Sequence, residues 1–151
     1  MQSEFSSEAA LRSFGEKIGR ILSAGEFIEL VGDVGAGKTT LVKGLVRGLG
    51  SDETVQSPTF TISRIYQLKG NRRFAHYDFY RLTDAGIMKA ELAEAAADKD
   101  TIVAVEWADV VDDVLPQDRL TIEIVPTAES ARRLAISAGG AISSKVLEQL
   151  R

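Results

Sequence analysis

Residues 32–40, Gly32-Asp33-Val34-Gly35-Ala36-Gly37-Lys38-Thr39-Thr40, constrain the rest of the chain more than any other stretch. They match the phosphate-cradling pattern G-x-x-x-x-G-K-[ST] at every fixed position. Its glycines turn the backbone tightly and bring N–H groups against phosphate oxygens, where any Cβ would intrude. Lys38 is suited to place its ammonium between β- and γ-phosphates, and the Thr39 hydroxyl to complete the shell of a Mg²⁺ ion. Such a loop works between a strand and a helix N-terminus, whose dipole then points at the anion. The flanks supply both: Glu26–Val31 alternates and is β-rich, and Leu41–Val46 continues with helical spacing.

At 151 residues the chain is about one domain with one continuous core. A net charge of −4 argues against bulk affinity for nucleic acid while leaving room for a local basic patch. The absence of cysteine excludes disulfides, thiolate metal sites and cysteine nucleophiles, and a single histidine excludes a multi-histidine metal site. No apolar run approaches the ~18 residues of a membrane span, and the N-terminus lacks a basic start and apolar block. The expected location is cytoplasmic.

In chain order, residues 7–24 predict an amphipathic helix with Ser6 or Ser7 as its cap, stopped at Ala24-Gly25. After the phosphate loop and its helix, Ser51–Ser57 is polar and turn-like. Phe60–Tyr66 predicts a strand, Lys69–Arg72 a turn and Arg73–Tyr80 a second strand. So short a connection implies an antiparallel hairpin. Residues 84–97 predict an alanine-rich helix beginning at Asp84, and Thr101–Val105 a buried parallel strand ending on Glu106-Trp107. Arg119–Val125 and Arg132–Ser137 alternate as further strands before a closing helix over 142–150. The expected fold is a single-domain α/β P-loop NTPase: a mixed, mostly parallel central sheet with an antiparallel hairpin and helices on both faces.

A phosphate loop alone specifies only a nucleoside triphosphate, so the remaining site residues must be sought elsewhere. Glu106 closes a buried strand at its carboxyl end, where ligands bind in such sheets, and suits an acid touching Mg²⁺ directly or through water. Period two puts His76, Asp78 and Tyr80 on one strand face, which fits a catalytic cluster or a solvated sheet surface equally. Thr59, after the stiff Pro58, is either a switch-type hydroxyl for the γ-phosphate and Mg²⁺ or part of a plain loop end. Trp107, the only tryptophan, stacks on a base or joins the core. Asp98-Lys99-Asp100-Thr101 is not the [NT]-K-x-D segment that reads guanine, which favours ATP over GTP. Residues 61–83 carry five basic side chains against Asp78 alone, a basic hairpin edge open to RNA, to an acidic partner or simply to solvent.

Taken together, the phosphate loop, Ser57-Pro58-Thr59-Phe60, His76-Tyr77-Asp78-Phe79-Tyr80-Arg81-Leu82 and Val105-Glu106-Trp107 resemble the bacterial TsaE (YjeE) family in order and interval. Leu115-Pro116 before Arg119-Leu120, and Arg132 before a final strand and a glycine, fit that family's C-terminal half. The resemblance implies an ATPase acting with TsaB and TsaD in placing threonylcarbamoyl on the adenosine beside the anticodon of tRNA. It implies nucleotide contacts from Asp33, Gly35, Ala36, Gly37, Lys38, Thr39, Thr40, Trp107 and Arg132. Thr39 and Glu106 then serve Mg²⁺, Thr59 belongs to a switch-like loop, and Asp78 matters for hydrolysis. Contact with tRNA is at most indirect or through the basic hairpin. One departure touches the site: where the family often has a threonine near the base, Ala9-Ala10-Leu11 follows Ser6-Ser7-Glu8. The competing functional class is a small-molecule P-loop kinase, against which no arginine-bearing lid follows the core.

Overall fold

The computed structural model describes residues 1–151. Strand β1 (Gln2–Phe5) leads into helix α1 (Glu8–Ile21), and β2 (Phe27–Val31) feeds the phosphate loop and α2 (Lys38–Gly48). The hairpin β3 (Ser63–Gln67) and β4 (Arg73–Asp78) follows, then α3 (Met88–Ala97), β5 (Thr101–Glu106), β6 (Leu120–Pro126), β7 (Arg132–Ala138) and α4 (Ala141–Leu150). The strands form one sheet in the order β1-β7-β6-β2-β5-β4-β3. Its centre, β6-β2-β5-β4, is parallel, while β3, β7 and β1 join through antiparallel pairings. Five of the seven strands therefore point the same way, and their carboxyl ends share one rim. No helix is long and apolar enough to cross a membrane.

Alternation along the strands sorts the core onto two faces. Ile28, Leu30, Ile102, Ala104, Ile122 and Ile124 meet α1, α2 and α4 on one side. Phe27, Ala75, Tyr77, Val103 and Val105 meet Leu92 of α3 and Val111 on the other. Helices thus cover both faces. The phosphate loop opens on the first face, because α2 returns across it.

Helices α1 and α2 pack backbone to backbone. A Cβ on Gly44 would lie 2.1 Å from the Arg12 carbonyl oxygen, and one on Gly48 would lie 2.2 Å from that of Glu16. The glycines are spaced by four on each helix (Gly15 and Gly19, Gly44 and Gly48), so one turn of each seats against one turn of the other. Only glycine permits this approach.

Several element boundaries differ from the sequence expectation. The strand expected from Phe60 begins at Ser63, because the N–H groups of Thr61 and Ile62 both bond to the Pro58 carbonyl and close a turn. The helix expected from Asp84 begins at Met88: Asp84 Oδ1 accepts from the Gly86 N–H at 2.9 Å, and Gly86 has φ +51. Helix α1 keeps Ser7 as its cap, with Ala10 N–H donating to Ser7 Oγ at 3.2 Å, but ends at Ile21. Strand β1 has no sequence signature; four residues pair with the open edge of β7.

Candidate nucleotide site

The loop after β2 has the backbone that its glycines predict. Gly32, Gly35 and Gly37 all have positive φ, at +156, +79 and +113. A Cβ on Gly32 would come 2.7 Å from the Ile124 carbonyl oxygen, whereas one on Gly35 would stand in open space over the cleft. Gly37 caps α2 without a side chain, so no side-chain group occupies the positive end of the helix dipole. Lys38 is buried and folds back over its own loop, donating from Nζ to the carbonyl oxygens of Gly32 and, at 2.9 Å, Asp33. From the far side Arg132 fastens the same loop to the start of β7. Its Nε donates to the Ala36 carbonyl at 2.7 Å and its Nη1 to that of Ala131 at 2.9 Å.

The opposite wall comes from the carboxyl ends of β4 and β5. Parallel register sets Asp78 beside Glu106, and sets Glu106 beside Leu30 of β2, just ahead of the phosphate loop. Both carboxylates are about 4% exposed. Asp78 is held on both oxygens: Tyr80 N–H donates to Oδ1 and the Thr59 hydroxyl to Oδ2, each at 2.9 Å. Ser57 Oγ lies 2.7 Å from Thr59 Oγ1, extending the chain of hydroxyls outward. The Asp78 N–H also donates to the Ile62 carbonyl at 2.8 Å, so the Ser57–Ile62 loop is tied to the strand end by backbone and side chain. Ile62 has φ +68, which is strained for a β-branched residue. Glu106 accepts from buried His76 at 2.9 Å.

Trp107 turns the chain sharply, at φ 55 and ψ 53, and lies half-buried between two partners. Tyr80 packs tilted against it with ring centres 4.9 Å apart, and Lys38 Nζ stands 4.9 Å from the ring centre. Between these walls lies a cleft of about 440 Å³, a size that suits a nucleotide.

Of the residues singled out in the sequence, the cleft brings together Gly35, Gly37, Lys38, Thr39, Thr40, Thr59, Asp78, Glu106, Trp107 and Arg132. Two loop residues lie elsewhere. Ala36 is fully buried beneath the loop, and Asp33 lines a second cavity with Glu29, Asp109 and Glu123. The expected alignment of Tyr80 with His76 and Asp78 ends with β4, since Tyr80 turns out onto Trp107. Glu8 and Ser130 line the cleft with no role expected from the sequence, and Phe60, Tyr80 and Arg81 of the quoted motifs line it too. Glu8 lies just ahead of Ala9-Ala10-Leu11, and its Oε1 accepts from the Thr40 hydroxyl at 3.0 Å. The Arg81 guanidinium lies 4.5 Å over the Phe60 ring at the mouth. Part of the hairpin's basic edge is paired internally, Arg73 with Asp98.

Residues 5–134 match the family model for the threonylcarbamoyl adenosine biosynthesis protein TsaE. The tRNA threonylcarbamoyladenosine biosynthesis protein TsaE of Streptomyces coelicolor is 34% identical over 135 residues, which cover 86% of this chain and 91% of that protein. Its namesake in Bacillus subtilis is 36% identical over 130 residues, covering 83% of this chain and 78% of its own. The crystal structure of Bacillus subtilis YdiB superposes with a TM-score of 0.84 at 29% identity, spanning 99% of this chain and 93% of that one. With its phosphate loop, its pair of strand-end acids and a family match over most of its length, the chain belongs to the TsaE family of threonylcarbamoyl adenosine biosynthesis proteins.

Proposed function

We propose that the chain is a Mg²⁺-dependent ATPase of the cytoplasm, slow alone, whose nucleotide cycle supports TsaB and TsaD as they transfer threonylcarbamoyl to the adenosine beside the tRNA anticodon. One observation carries the reading: Asp78 and Glu106, register partners on adjacent parallel strands, open into the same cleft as Lys38 and Thr39. Phosphate fits the loop, since Gly35 leaves open the space that a Cβ would fill. The donor set fits Mg²⁺ held jointly with phosphate and water. Thr39 and Glu106 are hard oxygen donors, and no three acidic or imidazole side chains converge into a cage of their own. When bound, the metal supplies positive charge against the phosphate oxygens.

The chain's own groups do the rest. Lys38 leaves the carbonyls of Gly32 and Asp33 for the phosphates, with no change of fold. Thr59 exchanges its bond to Asp78 for the γ-phosphate side of the site. That exchange frees Asp78 Oδ2 to orient the attacking water, while Tyr80 N–H keeps the carboxylate in place through Oδ1. The Ser57–Ile62 loop is thereby tied to nucleotide state. ATP strengthens partner binding to the extent that it favours the partner-competent form of this loop.

The test is titration of the TsaB–TsaD pair into this protein with ATP, ADP or no nucleotide, while phosphate release is followed. Tighter binding with ATP and stimulated release are expected, and Thr59→Ala should weaken this dependence more than it weakens ATP binding. Equal partner affinity in all three states, with no stimulation, would reject the reading.

A further inference from the structure

His76 is the only histidine of the chain and is completely buried, yet it does not line the nucleotide cleft. It lies on β4 two residues before Asp78, in register with Ala104 of β5. The small Ala104 side chain leaves the diagonal across the strand pair open, within reach of a long side chain. The imidazole uses it: Nε2 lies 2.9 Å from Oε1 of Glu106. The other ring nitrogen, Nδ1, is buried with no partner at all, beside the stacked ring of Phe74. A carboxylate oxygen accepts in such a bond, so Nε2 carries the shared hydrogen.

Packing does not explain such a residue. An apolar side chain of similar size would fill the space against Phe74 without sealing a polar nitrogen away from every partner. What the imidazole adds is one directed bond to one oxygen. Glu106 needs such a bond, because the backbone immediately after it swings into the left-handed turn at Trp107, and strand pairing beyond it ends.

We propose that His76 is a positioning residue for Glu106: its Nε2–H fixes Oε1 and so presents the other carboxylate oxygen to the cleft for the divalent cation. The inference rests on the Mg²⁺–ATP reading of that cleft. Carboxylates that bind metals are commonly held in this way by outer hydrogen bonds, whose loss costs roughly 10–100-fold in metal affinity.

The experiment uses the full chain with Mn²⁺ and a non-hydrolysable ATP analogue, free Mn²⁺ being read by electron paramagnetic resonance. His76→Leu removes the donor. His76→Gln restores an N–H at the same number of bonds from Cα as Nε2, and His76→Asn places its amide at the shorter reach of Nδ1. Expected is a loss of roughly 10–100-fold in Mn²⁺ affinity for His76→Leu and His76→Asn, with recovery to within a few-fold for His76→Gln. Affinity for the metal-free analogue should stay unchanged in all three. Equal Mn²⁺ affinity in wild type and His76→Leu would overturn the positioning role. A wild type that binds no Mn²⁺ with the analogue would instead overturn the site reading beneath it. Independently of any variant's folding, ¹⁵N-histidine NMR of the wild type gives a single unambiguous ring. The Nε2–H tautomer is expected, and an Nδ1–H tautomer would refute the bond on which the inference stands.

Discussion

The Lys38 ammonium stands 4.9 Å from the centre of the Trp107 ring, close enough for a cation–π attraction between the phosphate loop and the turn after β5. The lysine is thus held on two sides, by its own loop's carbonyls and by an aromatic face. In the proposed function, ATP draws it away from both. Because Trp107 is the only tryptophan, its emission should shift or quench saturably when ATP and Mg²⁺ are added. Lys38→Ala should show an altered starting spectrum and no ATP response. A wild-type spectrum indifferent to saturating ATP, with binding shown by calorimetry, would separate Trp107 from the nucleotide.

Lys38→Ala should also abolish productive ATP binding, since no other side-chain ammonium lines the cleft. Removing it takes the side-chain donor from the Gly32 carbonyl, while the Asp33 carbonyl keeps the Ala36 N–H at 3.0 Å. A stability loss of about 1–2 kcal/mol is expected, read as a fall of a few degrees in melting temperature with the fold retained. Near-normal ATP affinity in this variant would contradict the assignment of the loop.

Glu106→Gln and Asp78→Asn should separate binding from turnover. Each keeps side-chain size and removes one negative charge from the wall opposite the loop. ATP affinity should stay within about tenfold of wild type while hydrolysis falls roughly 10²–10³-fold. Steady-state phosphate release beside calorimetric ATP titration measures both, and wild-type turnover in both variants would send the search for the acid elsewhere.

What could be read from the chain alone divides by range. The phosphate loop was legible because each glycine answers a backbone need within a few residues, as the positive φ of Gly32, Gly35 and Gly37 shows. Thr59 and Asp78 were not separable from an ordinary loop and strand face on spacing alone. Their hydrogen bond spans 19 residues, and the pairing of Asp78 with Glu106 depends on β4 and β5 being parallel neighbours. Glu8 carried no signal at all, since only the crossing of α1 over α2 brings that first turn to the cleft. Gly86 hid the start of α3 inside an alanine-rich run whose composition speaks for a longer helix.

Away from the site, Asp118 organises the start of α4. Its carboxylate accepts from Ser143 Oγ at 2.6 Å and from the N–H groups of Ser143 and Ile142 at 2.9 and 2.8 Å. These bonds, the Ser143 hydroxyl first, hold its pKa below the ordinary 3.8. A group whose pKa is depressed on folding contributes stability above its unfolded value and loses it as pH falls through the lower folded value. Asp118→Ala should therefore cost about 1 kcal/mol at neutral pH, and the gap from wild type should close as pH drops below about 4. Thermal melts of both proteins across that range give the comparison, and a gap independent of pH would exclude the capping role.

The glycine-to-glycine contact of α1 with α2 decides which wall of the cleft can move. Two helices touching through their main chains have no side chains between them to rearrange, so they behave as one solid jaw. That jaw carries the phosphate loop at one end and Glu8 at the other edge of the cleft. The facing jaw is built differently: an irregular segment with a strained Ile62, hung from Asp78 by two hydrogen bonds. In the proposed nucleotide cycle the backbone change therefore falls on the Ser57–Ile62 side, and a partner that reads the occupancy of the site touches the side that yields.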